Sequence, residues 1–87
     1  MLRKGDLKVE SVLPKVKGAF ESAFGTDPQQ ITINTEPKDL DAWDSMGHVA
    51  LASSLEQAFN VTFDVDELME MENVRAIVRV LEGKLNG

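Results

Sequence analysis

Apolar residues in this 87-residue chain recur at intervals of three and four, in stretches that a long segment rich in proline, threonine and aspartate separates into two groups. A stripe with that period is what a helix needs to bury one face, and it admits little else. The first stripe runs through Val9, Val12, Leu13, Val16, Ala19, Phe20, Ala23 and Phe24, and Gly25 ends it. With Ser11 as the cap, Pro14 falls in the first turn, where its missing N–H would have had no intrahelical partner. The spacing therefore predicts a first helix from Ser11 to Phe24, with Met1 to Glu10 loosely attached.

From Thr26 to Asp44 no helical period survives, and the segment reads as a loop. Ile31, Ile33, Leu40 and Trp43 are expected to pin it across the helices, because an unanchored loop of that length is uncommon in a compact domain. Ile31-Thr32-Ile33 alternates like a strand but is short and has no evident partner. A second helix is predicted over Ser45 to Phe59 with Asp44 as its N-cap. Its inward stripe is Leu51, Leu55 and Phe59 with His48, Ala52 and Ala58, which leaves Ser45, Met46, Val49, Ser53 and Glu56 on another face. Asp64 then caps a brief helix carrying Val65, Leu68 and Met69, and Asn73 caps a last one through Val74, Ile77, Val78, Leu81 and Leu85. The prediction is an all-α single domain over residues 1–87, a four-helix bundle of three main helices and one short one with a long loop between the first and second.

Composition narrows what such a bundle can do. A chain this short buries only a little over ~60% of the surface its unfolded form exposes, so a large internal substrate cavity is not expected. There is no cysteine and a single histidine, His48, which leaves neither a disulfide framework nor a thiolate or histidine-cluster metal site. No apolar run approaches the roughly 20 residues that cross a bilayer, and the N-terminus lacks a leader-like apolar stretch, so a soluble, cytoplasmic protein without membrane insertion is expected. The net charge of −6 is divided unevenly. Met1 to Ala19 carries five Lys/Arg against two Asp/Glu, and Phe20 to Gly87 four against thirteen. An acidic surface of this kind repels nucleic-acid backbones and anionic lipid and suits basic protein partners.

One residue in the acidic part invites chemistry. Ser45 stands where the second helix begins, at the positive end of the helix dipole and beside N–H groups without intrahelical partners, and both favour a phosphate esterified to its oxygen. His48, three residues on, suggests an activated nucleophile with Asp41 or Asp44 as orienter. The chain shows no nucleophile elbow and no evident oxyanion hole, so a hydrogen-bonded, partly buried histidine is the expectation. Calcium loops starting at Asp64 or Asp39 fail as well. The first puts Met69 and Arg75, and the second Asp44 and Ala50, where the turn glycine and bidentate glutamate belong.

The run Trp43-Asp44-Ser45-Met46-Gly47-His48-Val49, followed by Leu51, Leu55-Glu56, Phe59, Val61 and the acidic start Asp64 to Glu67, resembles the acyl carrier proteins and their aminoacyl-carrying relatives. The resemblance is strongest from Leu40 to Leu85. It implies an acyl-carrier-like four-helix bundle that is not an enzyme and has no catalytic or metal-binding residues. In that family the serine of Asp-Ser-Leu or Asp-Ser-Met carries 4′-phosphopantetheine, so Ser45 takes that role by resemblance. The implied partners are a phosphopantetheinyl transferase, an acyl- or aminoacyl-loading ligase or acyltransferase, and downstream synthase enzymes of fatty-acid, polyketide or related biosynthesis. They would meet a monomer at Asp44, Met46, Val49, Ser53, Glu56 and Val65. Ala50 fills a position that is often acidic in fatty-acid carriers, which predicts weaker steering through the second helix, and Gly47 lowers helix propensity by up to about 1 kcal/mol, which predicts a looser site. The Trp43 to His48 stretch also resembles free-standing carriers of specialised pathways, including those that hold D-alanine or other amino acids, which implies a specialised, free-standing member. The alternative is a helical adaptor that docks a basic protein without any cofactor, with Ser45 serving only in the capping region.

Overall fold

The computed structural model describes residues 9–86, so the expectation of a loose N-terminus falls, for residues 1–8, outside the described residues. The chain forms α1 (Val9–Phe24), α2 (Ser45–Phe59), α3 (Val65–Glu70) and α4 (Val74–Asn86), with short 3-10 turns at Pro28–Gln30 and Pro37–Asp39 in the long connection. This is the all-α arrangement of three main helices and one short one. α1 packs against both α2 and α4, and α3 packs against α4. The core is one continuous cluster. Phe20, Leu51, Leu55, Ile77 and Leu81 are wholly buried in it, each burial worth about 1.5–3 kcal/mol relative to exposure.

Helix boundaries follow local chemistry. Asp44 Oδ1 accepts the Gly47 N–H at 2.8 Å, so Asp44 is the N-cap of α2. At the other end Asn60 adopts a left-handed conformation (φ 55°), which asparagine tolerates better than most residues, and its N–H returns to the Glu56 carbonyl. Asp64 and Glu67 form a reciprocal capping box at α3, each side chain accepting the other's backbone N–H. Asn73 Oδ1 accepts from Ala76 N–H at 2.7 Å at the start of α4.

α1 begins at Val9, two residues before the expected cap, so Ser11 lies within the helix. Pro14 is then an interior residue, and the bond its absent N–H would have given to the Glu10 carbonyl is missing. Its fixed φ suits a helix, and the apolar stripe from Val12 onward is buried against α2 and α4, so α1 continues through it. Ala58 also departs from expectation. It falls at the edge of the arc centred on Leu55 and is exposed.

The long connection is anchored as its apolar residues suggested. Ile31 and Trp43 are buried, and Ile33 and Leu40 partly so. Thr32 turns the chain instead of extending a strand: its N–H donates to Thr35 Oγ1 at 2.8 Å, and Thr35 N–H donates to its carbonyl at 3.1 Å. The Thr35 carbonyl in turn accepts the Val74 N–H at 3.0 Å, so the loop satisfies one of the free donors at the start of α4.

Gly47 behaves contrary to the looseness its helix propensity implies. A Cβ on it would overlap the Ala42 carbonyl oxygen and stand 3.2 Å from the Phe24 ring. The glycine lets the end of the loop lie directly on the first turn of α2, which is close packing and not slack.

Two predictions arise from these contacts. Gly47→Ala would gain helix propensity on an isolated helix, but here it should lower unfolding stability in urea by about 2 kcal/mol, in the range of other overpacking changes; a stabilised variant would show that Ala42 does not crowd this position. The Glu67 carboxyl is held below its ordinary value of 4.5, first by the Asp64 backbone N–H and then by Lys84, whose Nζ lies 2.9 Å away. A depressed carboxylate contributes stability that is complete above the unfolded value and lost as pH falls through the folded one. Carboxylate NMR should therefore show Glu67 titrating below 4.5 with the Asp64 amide signal moving in step, whereas titration at or above 4.5 would contradict the capping box.

Candidate functional site

The start of α2 gathers the residues singled out from the sequence. Asp44 performs the capping, so Ser45 at the first helical position is not needed for it, and its side chain is exposed. Behind Ser45 the chain is rigidly held. The Trp43 indole is buried and meets the Phe20 ring edge-on, with centroids 5.0 Å apart. It stacks nearly parallel to the His48 imidazole at 6.1 Å. Trp43 is thus an anchor under the loop, as expected.

His48 is partly buried and bonded at both ring nitrogens. The indole N–H of Trp43 can only donate, so His48 Nδ1 accepts it at 2.8 Å. The ring proton therefore resides on Nε2, which donates to the Leu68 carbonyl at 2.8 Å. With its lone pair engaged by the indole, His48 offers Ser45 no basic nitrogen, and the activated-serine arrangement considered from the sequence does not form. An open groove of about 480 Å³ adjoins Ser45, lined by Pro37, Trp43, Asp44, Ser45 and His48.

The other residues singled out fall into two groups. Met46 (84% exposed) and Val49 (65%) project from α2 into solvent, and Val65 (69%) does so from α3. Ser53 is exposed on α2, at helical spacing from Met46 and Val49. Glu56 is partly buried instead, and its Oε2 accepts the Phe63 N–H at 2.9 Å. Its carboxylate thus serves the α2–α3 connection. Met69 (73% exposed) was not singled out for this surface. Its spacing of four from Val65 on one short helix was the available signal.

The acidic stretches also find structural uses. Asp64 and Glu67 are the capping box, and among the described residues no cluster of three or more His, Asp or Glu side chains could hold a metal ion. No helix among them is long and apolar enough to cross a membrane.

An exposed serine on a capped helix start, backed by a rigid loop and bordered by a groove, can accept a tethered group without disturbing the core. Comparison with known proteins bears on the chain as a whole. A family model described as a phosphopantetheine attachment site matches residues 14–81. The chain is 28% identical over 78 residues to an acyl carrier protein of Cyanidium caldarium, spanning 88% of this chain and 90% of that one. It is 27% identical over 77 residues to an acyl carrier protein of Coprothermobacter proteolyticus, spanning 87% and 93%. It is also 29% identical over 70 residues, 80% of this chain, to the non-reducing polyketide synthase pkdA of Emericella nidulans, of whose length the match is 3%. The chain belongs to the phosphopantetheine-binding family of acyl carrier proteins, and it is a carrier protein whose cofactor is 4′-phosphopantetheine.

Proposed function

We propose that this protein holds an acyl or aminoacyl group as a thioester on 4′-phosphopantetheine attached to Ser45, and presents it to the enzymes of a fatty-acid, polyketide or related biosynthetic route. The observation that carries the assignment to Ser45 is the division of labour at the start of α2, where Asp44 caps the helix and the serine hydroxyl is left exposed. When bound, the group supplies a terminal thiol for thioester chemistry, which suits a chain without cysteine.

The residues of the chain then have defined tasks. Ser45 Oγ is the attacking atom in the transfer from coenzyme A: its bond to the pantetheine-side phosphorus forms as the pyrophosphate P–O bond breaks and adenosine 3′,5′-bisphosphate leaves. Because the His48 lone pair is engaged by Trp43, the serine proton has to leave to a base of the transferase. The helix dipole and the free N–H groups at the start of α2 favour the phosphodiester that results. Asp44 keeps the first turn formed throughout, since its carboxylate is bonded to Gly47.

Partner enzymes would dock on Met46, Val49 and Ser53 of α2 with Val65 of α3, to which the exposure of Met69 adds a further apolar contact. Ala50 and Ser53 leave this face of α2 without a carboxylate, and Glu56 is engaged elsewhere. Steering therefore falls to Asp44, Asp64 and Asp66 at its margins, and apolar contact should outweigh charge. This suits a specialised cytoplasmic carrier that acts as a monomer and meets a transferase, a loading ligase or acyltransferase, and synthase enzymes in turn.

Incubation with coenzyme A and a broad-specificity phosphopantetheinyl transferase should add one phosphopantetheine to the intact mass, and Ser45→Ala should abolish the addition while keeping the fold. An unmodified parent protein, with related carriers modified in the same tube, would favour a cofactor-free adaptor. Met46→Asp should raise the transferase KM about fivefold or more with little change in kcat, as expected for a lost apolar anchor; a KM like the parent's would remove Met46 from the docking face.

A further inference from the structure

We propose that His48 is a positioning residue that holds α3 against the first turn of α2, and so joins the two halves of the exposed apolar face beside Ser45; the inference rests on reading that face as the one partner enzymes use. The face has two sources. Met46 and Val49 come from α2, and Val65 and Met69 from α3. For a partner to meet all four together, α3 must keep a set position relative to α2.

Core burial supplies that position only in part, through Leu68, which is partly buried against the core. α3 has only six residues, and none of them is fully buried. It packs on α4, where Lys84 pairs with Glu67 at 2.9 Å. Toward the first turn of α2 its tie is polar: the His48 Nε2–H donates to the Leu68 carbonyl at 2.8 Å. Leu68 lies in the last turn of α3, where carbonyls lack a full set of intrahelical partners, and the Met71 N–H reaches the same oxygen only at 3.4 Å. The imidazole is thus the close partner of a carbonyl that would otherwise keep only the long bond from Met71.

The direction of that bond is set from the other side. Because the Trp43 indole N–H occupies Nδ1, the ring proton must sit on Nε2 and point at α3. Trp43 is itself buried against Phe20 of α1, so the strut stands on the core. His48 directs its hydrogen bonds to Trp43 and Leu68 and not to Ser45. It acts through Leu68, whose neighbours in α3 are Val65 and Met69.

The test is the kinetics of phosphopantetheine transfer from coenzyme A by a broad-specificity transferase, with the intact protein as substrate. His48→Asn retains an acceptor for Trp43 but is too short to reach Leu68, whereas His48→Gln can place an amide N–H there. His48→Asn should raise KM about three- to tenfold with kcat within about twofold, and His48→Gln should return KM to within about twofold of the parent. In the His48→Asn background, Val65→Ala and Met69→Ala should raise KM by smaller factors than in the parent, because the coupled sites no longer act together. A parental KM for His48→Asn, or no recovery with His48→Gln, would overturn the strut. Imidazole ¹⁵N spectra of the unaltered protein give a check independent of any variant's folding: the Nε2–H tautomer is required, and the Nδ1–H tautomer would refute the proposal. Failure of the parent itself to be modified would instead count against the Ser45 assignment.

Discussion

A single imidazole, clamped between an indole N–H and a helix-end carbonyl, adds a polar tie between three parts of this protein that also meet through the apolar core. Trp43 ends the long connection, His48 lies in the first turn of α2, and Leu68 lies in α3. Each bond alone is worth about 1 kcal/mol net, but breaking the first leaves the indole N–H of a buried tryptophan unpaired, which costs more, and breaking the second leaves the Leu68 carbonyl only the long Met71 bond. The arrangement also has only one consistent protonation pattern. A neutral ring with its proton on Nε2 satisfies both neighbours, and this commits the histidine to structure and withholds it from acid–base work at Ser45.

The neighbourhood of Ser45 is therefore built to be stable around an uncommitted hydroxyl. Asp44 caps, Gly47 admits the Ala42 carbonyl, and Trp43 packs on Phe20, so the backbone around the serine is held while Met46 projects into solvent beside it. The serine itself is left to solvent. On the proposed assignment this is the useful division: Ser45 would exchange its hydroxyl for a long charged arm without altering a contact that holds the fold. The acidic residues follow the same economy. Several that look like a ligand cluster in the sequence are capping groups, with Asp64 and Glu67 closing the start of α3 and Glu56 closing the turn before it.

The helices were legible because their determinants are local. The stripes in α2 and α4, the caps Asp44, Asp64 and Asn73, and the anchors Ile31 and Trp43 can be read from spacing and residue type, and the structure places them accordingly. Ser11 was misplaced for a related reason. Capping preference and the presence of Pro14 argue for a start at Ser11, while the burial of the stripe carries α1 past the proline. Gly47 shows where such reasoning fails. Propensity weighs a glycine against an isolated helix, but here a backbone segment five residues away in sequence occupies the space of its missing side chain.

The order of residues alone was enough to predict an all-helical domain with a serine at the start of its second helix, since periodicity and capping are properties of neighbours along the chain; the carrier role entered only as what the resemblance of a short motif implied. Only the folded molecule decided that His48 joins Trp43 to Leu68, that Glu56 turns to Phe63, and that Met69 joins Val65 on the surface. These outcomes depend on which groups meet across the bundle. A histidine or glutamate has the same local preferences whether it faces solvent or a distant backbone group, so its partner is set by the packing of the helices that carry it.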